Sequence, residues 1–213
     1  MPMGINREIL KIALKTHNFS YRLSSFFAGK IEGKLHPKHR LMNYHQFFLD
    51  NINPGDMVLD VGCGKGEAAF DLAKKASEVV AIDLSEKNIK FAQKRYSAPN
   101  IKYIIGDATK NLPNERFDAI ILSNVLEHIE NRTELLRDLK KITPKILIRV
   151  PMINRDWITL YKKELGIAWK LDKSHFTEYT IESFQEEIQK AGLKIENYSV
   201  QFGEIWGIIA NHA

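Results

Sequence analysis

VLDVGCGKGEAAF, residues 58–70, passes from an apolar strand through Gly62, Gly64 and Gly66 into an amphipathic helix. Glycines are needed where a chain turns sharply and where a ligand must approach the backbone with no Cβ in the way. About 20 residues on, at the end of the next apolar run, stands Asp83, where an acidic side chain meets ribose hydroxyls in nucleotide-binding α/β folds. Two charge-assisted hydrogen bonds from that carboxylate to a cis-diol would fix a nucleoside in position.

Outward from this stretch, short apolar runs alternate with amphipathic segments, which indicates βαβ units around a mostly parallel sheet. Strands are predicted at 57–61, 78–83, 101–105, 117–122 and 145–150, with helices at 66–76, 85–95 and 124–141. Ser85 reads as a helix N-cap followed by Glu86 in the first turn. The third strand ends at Asp107, placed to accept from an adenine amino group, and the fourth runs into LSNVLEHIE, which presents Ser123, Asn124, Glu127 and His128. Four strand ends therefore converge on one crevice, where open α/β sheets hold their ligands. Beyond Pro151 an aromatic, basic stretch of about 152–178 breaks the alternation and reads as an insertion above the sheet. Thr180 then caps a helix that Gly192 ends, and strands at 193–201 and 204–210 meet at Gly203 in a closing antiparallel hairpin.

Upstream, apolar residues recur at helical intervals from Ile5 to Phe27, so amphipathic helices are predicted to about Leu35. HPKHRLMNYHQFFLDNI, residues 36–52, reads as one further helix between the breakers Pro37 and Pro54-Gly55. The division expected is an N-terminal arm or lid over 1–53 and a ligand-binding domain over 54–213. The 213 residues carry a net charge of +5, but residues 1–45 hold eight basic and two acidic side chains, leaving the rest at about −1. A near-neutral body lacks the broad positive footprint that nucleic-acid binding needs, so nucleic acid is not an expected partner. The arm's basic amphipathic character admits a weak contact with an anionic membrane surface. No stretch approaches the roughly 18 apolar residues of a membrane span, and no secretory leader is visible, so a cytoplasmic location is expected. The lone Cys63 excludes an intrachain disulfide framework and reads as a small buried side chain; no Cys/His cluster shows zinc-finger spacing, so no metal site is expected.

VLDVGCGKGE, AIDLS, IIGDAT and FDAIILSNVLEHI, in that order and spacing, resemble the successive motifs of class I S-adenosylmethionine (SAM)-dependent methyltransferases of the small-molecule, type 11-like group. The resemblance covers about residues 57–149. It implies a Rossmann-like α/β fold with a seven-stranded, mostly parallel sheet in the order 3-2-1-4-5-7-6 whose last strand is antiparallel, with SAM as cofactor. By the same resemblance Asp60, Gly62 and Gly64 surround the methionyl end, Asp83 holds the ribose, Leu84 packs on adenine, Asp107 and Ala108 meet the adenine edge, and Ser123 lies near the sulfonium. A dinucleotide oxidoreductase would instead favour G-x-G-x-x-G, whereas Gly66 comes one residue early for that pattern. The 36–48 block also resembles, more weakly, a leader in methyltransferases of polysaccharide and glycolipid biosynthesis.

A sulfonium methyl is already activated, so no catalytic triad is required; alignment of donor and acceptor can supply several kcal/mol. His128 is the first candidate for accepting a proton from a hydroxyl acceptor and His175 the second, each against a purely structural reading. Arg40 and Tyr44 are candidates for the methionine carboxylate if the arm is a lid. His36, His39 and His45 suit solvated or capping roles. Trp157, Tyr161 and Trp169 either wall an acceptor pocket or bury the insertion. The acceptor expected is a small biosynthetic molecule, with a sugar or glycolipid hydroxyl first, a quinone or lipid next, and a non-catalytic SAM-binding module as the non-enzyme alternative. A monomer and a homodimer are both compatible with the sequence.

Overall fold

The computed structural model describes residues 3–33 and 36–211; Met1, Lys34 and Leu35, which the sequence assigns to the arm, lie outside the described residues. Seven strands form one sheet: β1 Met57–Val61, β2 Glu78–Asp83, β3 Ile101–Ile105, β4 Ala119–Ser123, β5 Lys145–Pro151, β6 Lys194–Gln201 and β7 Glu204–Ala210. Their order is β3-β2-β1-β4-β5-β7-β6. β1 to β5 run parallel, and β7 is antiparallel to both β5 and β6. The family order expected from the motifs is therefore the order observed.

The central strands are apolar at nearly every position because both faces of the sheet are covered. Alternate residues feed different cores: Leu59, Val61, Ile120 and Leu122 join one cluster, while Val58, Ala119 and Ile121 join the other. The flanking helices are α4 Glu67–Leu72, α5 Glu86–Arg95, α6 Arg132–Lys140 and α8 Ile181–Lys190. Ser85 caps α5 by accepting from the Asn88 amide, and Thr180 forms a capping box with Ser183 at the start of α8. The closing hairpin turns on Phe202 and Gly203, both with positive φ, the two-residue turn whose twist matches that of the strands.

Three departures from the sequence reading shape the site. α6 begins at Arg132 rather than 124, because Asn124 adopts φ 56° and only a 3₁₀ turn, Leu126–His128, follows it. α4 ends at Leu72, after which the chain closes in tight turns, with Lys74 N donating to Asp71 O and Lys75 N to Leu72 O. The 36–52 block is two helices, α2 Pro37–Met42 and α3 Tyr44–Asp50, separated by Asn43 in the left-handed region at φ 48°. Asparagine tolerates that conformation better than most residues, and it redirects the chain.

The arm is a single helix, α1 Met3–Glu32. It leans on the insertion, where Lys162 Nζ donates to Asn18 Oδ1 at 2.7 Å and Asn18 Nδ2 donates to Ala168 O at 2.7 Å. Lys162 belongs to α7 Trp157–Glu164, the helix of the insertion. Leu14 is buried, whereas Ile5, Ile9, Ile12, Phe19 and Phe26 are exposed.

Gly66 has φ 88°, and a Cβ there would meet the Tyr103 hydroxyl at 2.6 Å and Ala92 Cβ at 2.8 Å. Gly64, at φ 56°, has no atom within 4 Å of that position. Gly66→Ala should therefore cost about 2–4 kcal/mol from overpacking plus left-handed strain, lowering Tm by roughly 5–15 °C. Gly64→Ala should cost about 1–2 kcal/mol, from backbone alone. Thermal melts of the two variants check this, and equal shifts would contradict it.

Candidate functional site

The site grows from the carboxyl ends of β1, β2, β3 and β4. The β1–α4 turn is bound to β2, with Gly62 N and Cys63 N donating to Ile82 O at 2.8 and 3.1 Å. Gly64 N donates to Asp83 Oδ2 at 2.9 Å. On the other side, a Cβ on Gly62 would come within 2.5 Å of Val125 Cγ2, so the glycine there permits close approach of the β4 loop. Cys63 is buried, and burial pushes its thiol up, which makes it a packing group rather than a nucleophile.

A cleft of about 310 Å³ opens beside this turn. Its walls include the apolar Val61, Ile82, Leu84, Val125 and Ile129, with Asp83, Asp107, Asn124 and His128 as polar points. Asp83 already accepts from Gly64 N through Oδ2, and from Ser85 N at 2.8 Å and Asn88 Nδ2 at 3.3 Å through Oδ1. A carboxylate has about four acceptor sites, so one remains, and the long bond from Asn88 is the weakest to displace. Leu84 stands 70% exposed beside it, an apolar side chain held out over the rim where a flat ring can pack.

The other predicted contacts are distributed as follows. Gly62, Asp107 and Ala108 line the cleft. Asp107 caps its own turn, taking Thr109 N and Oγ1 on Oδ1, with Lys110 3.0 Å from Oδ2; the hydrogen bonds from Thr109 and Lys110 hold its carboxyl below the usual range. Ser123 pairs with Arg149 at the last register position of β4, and it is its neighbour Asn124 that borders the cleft. Asp60 is buried, and its Oδ2 has no hydrogen-bond partner. Burial, with Asp83 and Glu67 nearby, raises it to about 7.

Arg40 stands apart, paired with Glu32 at 2.9 Å on the exposed lip of a second cleft that also takes in His39, His45 and Glu67. Tyr44 is buried under Arg149, whose guanidinium carbon lies 3.7 Å from the ring centroid, and its hydroxyl meets His39 Nδ1 at 2.7 Å. Arg149 in turn pairs with Glu204 at 2.6 Å, and Glu204 also accepts from Asn124 Nδ2 at 3.3 Å and Trp206 Nε1 at 3.2 Å. This buried set ties α3, β5 and β7 to the β4 loop, a function for Arg149 and Glu204 that their separate sequence positions do not signal. Lys38, also missed, answers electrostatically to Arg149, Glu204 and Glu67, and desolvation depresses its pKa.

His128 lines the cleft and His175 packs edge-on against it, with ring centroids 4.6 Å apart. Burial and the neighbouring His175 hold His128 below the ordinary imidazole range. His128 Nδ1 meets Ser174 Oγ at 2.9 Å and His175 Nδ1 meets Glu178 Oε1 at 3.0 Å. Glu178 has a fully buried side chain that also takes Arg155 and the Leu171 amide, fixing the insertion over the sheet. Trp157 is 73% exposed, and Trp169 lies beneath Lys163 and Lys170; neither lines the cleft, and nor does Tyr161.

A family model for a methyltransferase domain matches residues 59–145, the stretch that builds this rim. The ubiquinone biosynthesis O-methyltransferase of Rickettsia bellii is 30% identical over 163 residues, covering 73% of this chain and 66% of that protein. Residues 59–145 thus carry a methyltransferase domain on the class I SAM-dependent methyltransferase fold. An uncharacterized methyltransferase of Mycobacterium tuberculosis is 40% identical over 105 residues, covering 47% of this chain and 53% of that one. The magnesium protoporphyrin IX methyltransferase of Synechocystis, solved with bound S-adenosylhomocysteine (SAH), superposes with TM-score 0.63 at 19% identity over 81% of this chain and 82% of that one. The chain thus spans just under two thirds of the Rickettsia relative and about half of the mycobacterial one.

The rim fits SAM, the cofactor of the matched family, on two observations. Above Gly64 there is open space that a Cβ would enter, and the unpartnered Asp60 carboxyl lies below the same turn. The methionyl end of SAM carries an ammonium, and a cation beside Asp60 favours the ionised carboxylate. Because Asp60 holds its proton below about 7 in the free protein, binding should release a proton there. SAM affinity should rise with pH by up to about tenfold per unit below 7 and level off above it. Calorimetry at pH 6.5 in buffers of different ionisation heat should give different apparent enthalpies for the wild type and matching ones for Asp60→Asn. Buffer-independent heats for the wild type would contradict the assignment.

Proposed function

We propose that this chain transfers a methyl group from SAM to a hydroxyl on an aromatic ring bearing an apolar substituent, of the quinone-precursor kind, and that the 3–50 segment shields the cofactor's methionyl end. The observation that carries the acceptor reading is His128 on the apolar side of the cleft, next to Val125 and Ile129, with His175 packed edge-on against it. A phenolic hydroxyl needs a proton acceptor and an apolar seat, whereas a sugar needs several polar groups around its ring. The Rickettsia protein's name, ubiquinone biosynthesis O-methyltransferase, favours the same class. The exposed apolar side of α1, formed by Ile5, Ile9, Ile12, Phe19 and Phe26, on a helix that also carries Arg7, Lys11, Lys15 and Arg22, suits contact with a membrane surface where an acceptor with an apolar tail is found. The sugar or glycolipid hydroxyl first expected from the 36–48 leader draws no support from the named relatives.

When bound, SAM supplies an electrophilic methyl whose leaving group is a neutral thioether. The residues of this chain then align, exclude water and move one proton. Asp83 and Leu84 set the nucleoside, Gly62 and Gly64 let it lie against the backbone, and Asn124 and Val125 close the cleft beside the acceptor. His128 takes the hydroxyl proton on Nε2, since its Nδ1 faces Ser174 Oγ, which itself donates to Asp172.

Incubation with methyl-labelled SAM and a panel of catechols, other phenols and nucleotide sugars tests this reading. Label is expected on the ring hydroxyls, and His128→Ala is expected to lose roughly 10²–10⁴-fold in kcat with SAM affinity within about threefold. Transfer only to sugars, or undiminished kcat in His128→Ala, would contradict it.

A further inference from the structure

Directly behind His128 lies a group that methyl transfer to a phenol does not by itself require. Glu127 is 0% exposed, and neither of its carboxylate oxygens has a hydrogen-bond partner. One ligand atom each from Glu127, His128 and His175 lies within 4.8 Å of the others. An unpaired carboxylate in the interior is costly unless something binds it.

The two imidazoles are held as metal ligands usually are. Ser174 Oγ donates to Asp172 Oδ1 at 2.7 Å and so accepts the Nδ1–H of His128. Glu178, ion-paired with Arg155, accepts the Nδ1–H of His175. Both rings are thereby set in the tautomer that leaves Nε2 with a free lone pair, and a carboxylate or hydroxyl behind each ring is the outer-shell pattern that orients ligating histidines. Ligand atoms of a tetrahedral zinc site stand about 3.3 Å apart, so small rotamer adjustments bring this set to bonding distance.

We infer that Glu127, His128 and His175 form a binding site for one divalent first-row transition metal, with zinc the best match, at the His128 wall of the cleft. Two nitrogens and one oxygen favour zinc, iron or cobalt over magnesium, which prefers oxygen donors. Three protein ligands leave positions open, as sites that engage a substrate do. The ligand class for the open position is a hydroxyl oxygen; that part of the inference rests on the phenolic-acceptor reading above, with His128 then acting as ligand in place of base. The site went unseen in the sequence because Glu127 and His128 adjoin while His175 comes from the insertion.

The test uses the full chain without a histidine tag, stripped with chelator and titrated with zinc chloride in a calorimeter. One equivalent is expected to bind with a Kd of about 1 μM or tighter. Glu127→Gln and His175→Ala should each weaken it beyond the roughly 10- to 100-fold that loss of a supporting hydrogen bond causes, with SAH affinity unchanged. Cobalt substitution supplies an absorption band that reports nitrogen and oxygen ligands, and circular-dichroism melts confirm that both variants fold. No zinc binding by the wild type, or unchanged binding in folded Glu127→Gln, overturns the site while leaving methyl transfer untouched. Zinc bound as expected without label on any phenol would overturn the acceptor reading alone.

Discussion

The turn that leaves β1 is anchored to the neighbouring strand by both main chain and side chain. Gly62 N and Cys63 N share Ile82 O, and Gly64 N reaches the Asp83 carboxylate. That arrangement needs three alternate positive-φ positions at Gly62, Gly64 and Gly66, which L side chains resist. Its consequence is a bare stretch of backbone beside an acidic side chain at the rim of a parallel sheet. Each neighbour conforms to it: Val125 packs where a Cβ on Gly62 would be, and Tyr103 and Ala92 press against Gly66.

Around that fixed turn the rim divides by chemistry. One end carries Asp83, Leu84 and Asp107, side chains at or just beyond the ends of β2 and β3. The opposite end depends on long-range ties: Arg149 and Glu204 hold Asn124 and Tyr44 in one buried set, and Glu178 holds His175 against His128. Removing one partner from such a buried pair costs about 3–5 kcal/mol, so this end is specified as firmly as the first. The imidazoles of His128 and His175 make a polar corner at this end, beside the apolar Val125 and Ile129.

Local signals made the sheet readable. Strand β2 and β3 limits, the Ser85 and Thr180 caps and the Gly203 hairpin follow from apolar runs bounded by turn residues, and they emerge as expected. Helix limits near the site were less legible, because Asn43 and Asn124 each break a helical pattern by a single residue in the left-handed region, and neither a period nor a composition shift marks it. The side chains proposed to meet the nucleoside sit within a few residues of their strands, so spacing alone brings Asp83, Leu84 and Asp107 to one edge. Arg40 was placed by reach rather than by structure, and Glu32 engages it instead. The Glu127, His128 and His175 cluster and the Arg149–Glu204 pair join elements about 50 residues apart. Only the chain path of the insertion and the antiparallel return of β7 bring them together.

The claim on which the account stands is that a nucleoside lies over the glycine turn with its ribose on Asp83. Titration calorimetry of SAH into the wild type and into Asp83→Asn, with melting curves for both, addresses it directly. The account predicts one site in the wild type and a loss of about 2–4 kcal/mol in the variant, roughly 30- to 1,000-fold in affinity. Equal affinity in a folded Asp83→Asn, or no binding by the wild type, would contradict it.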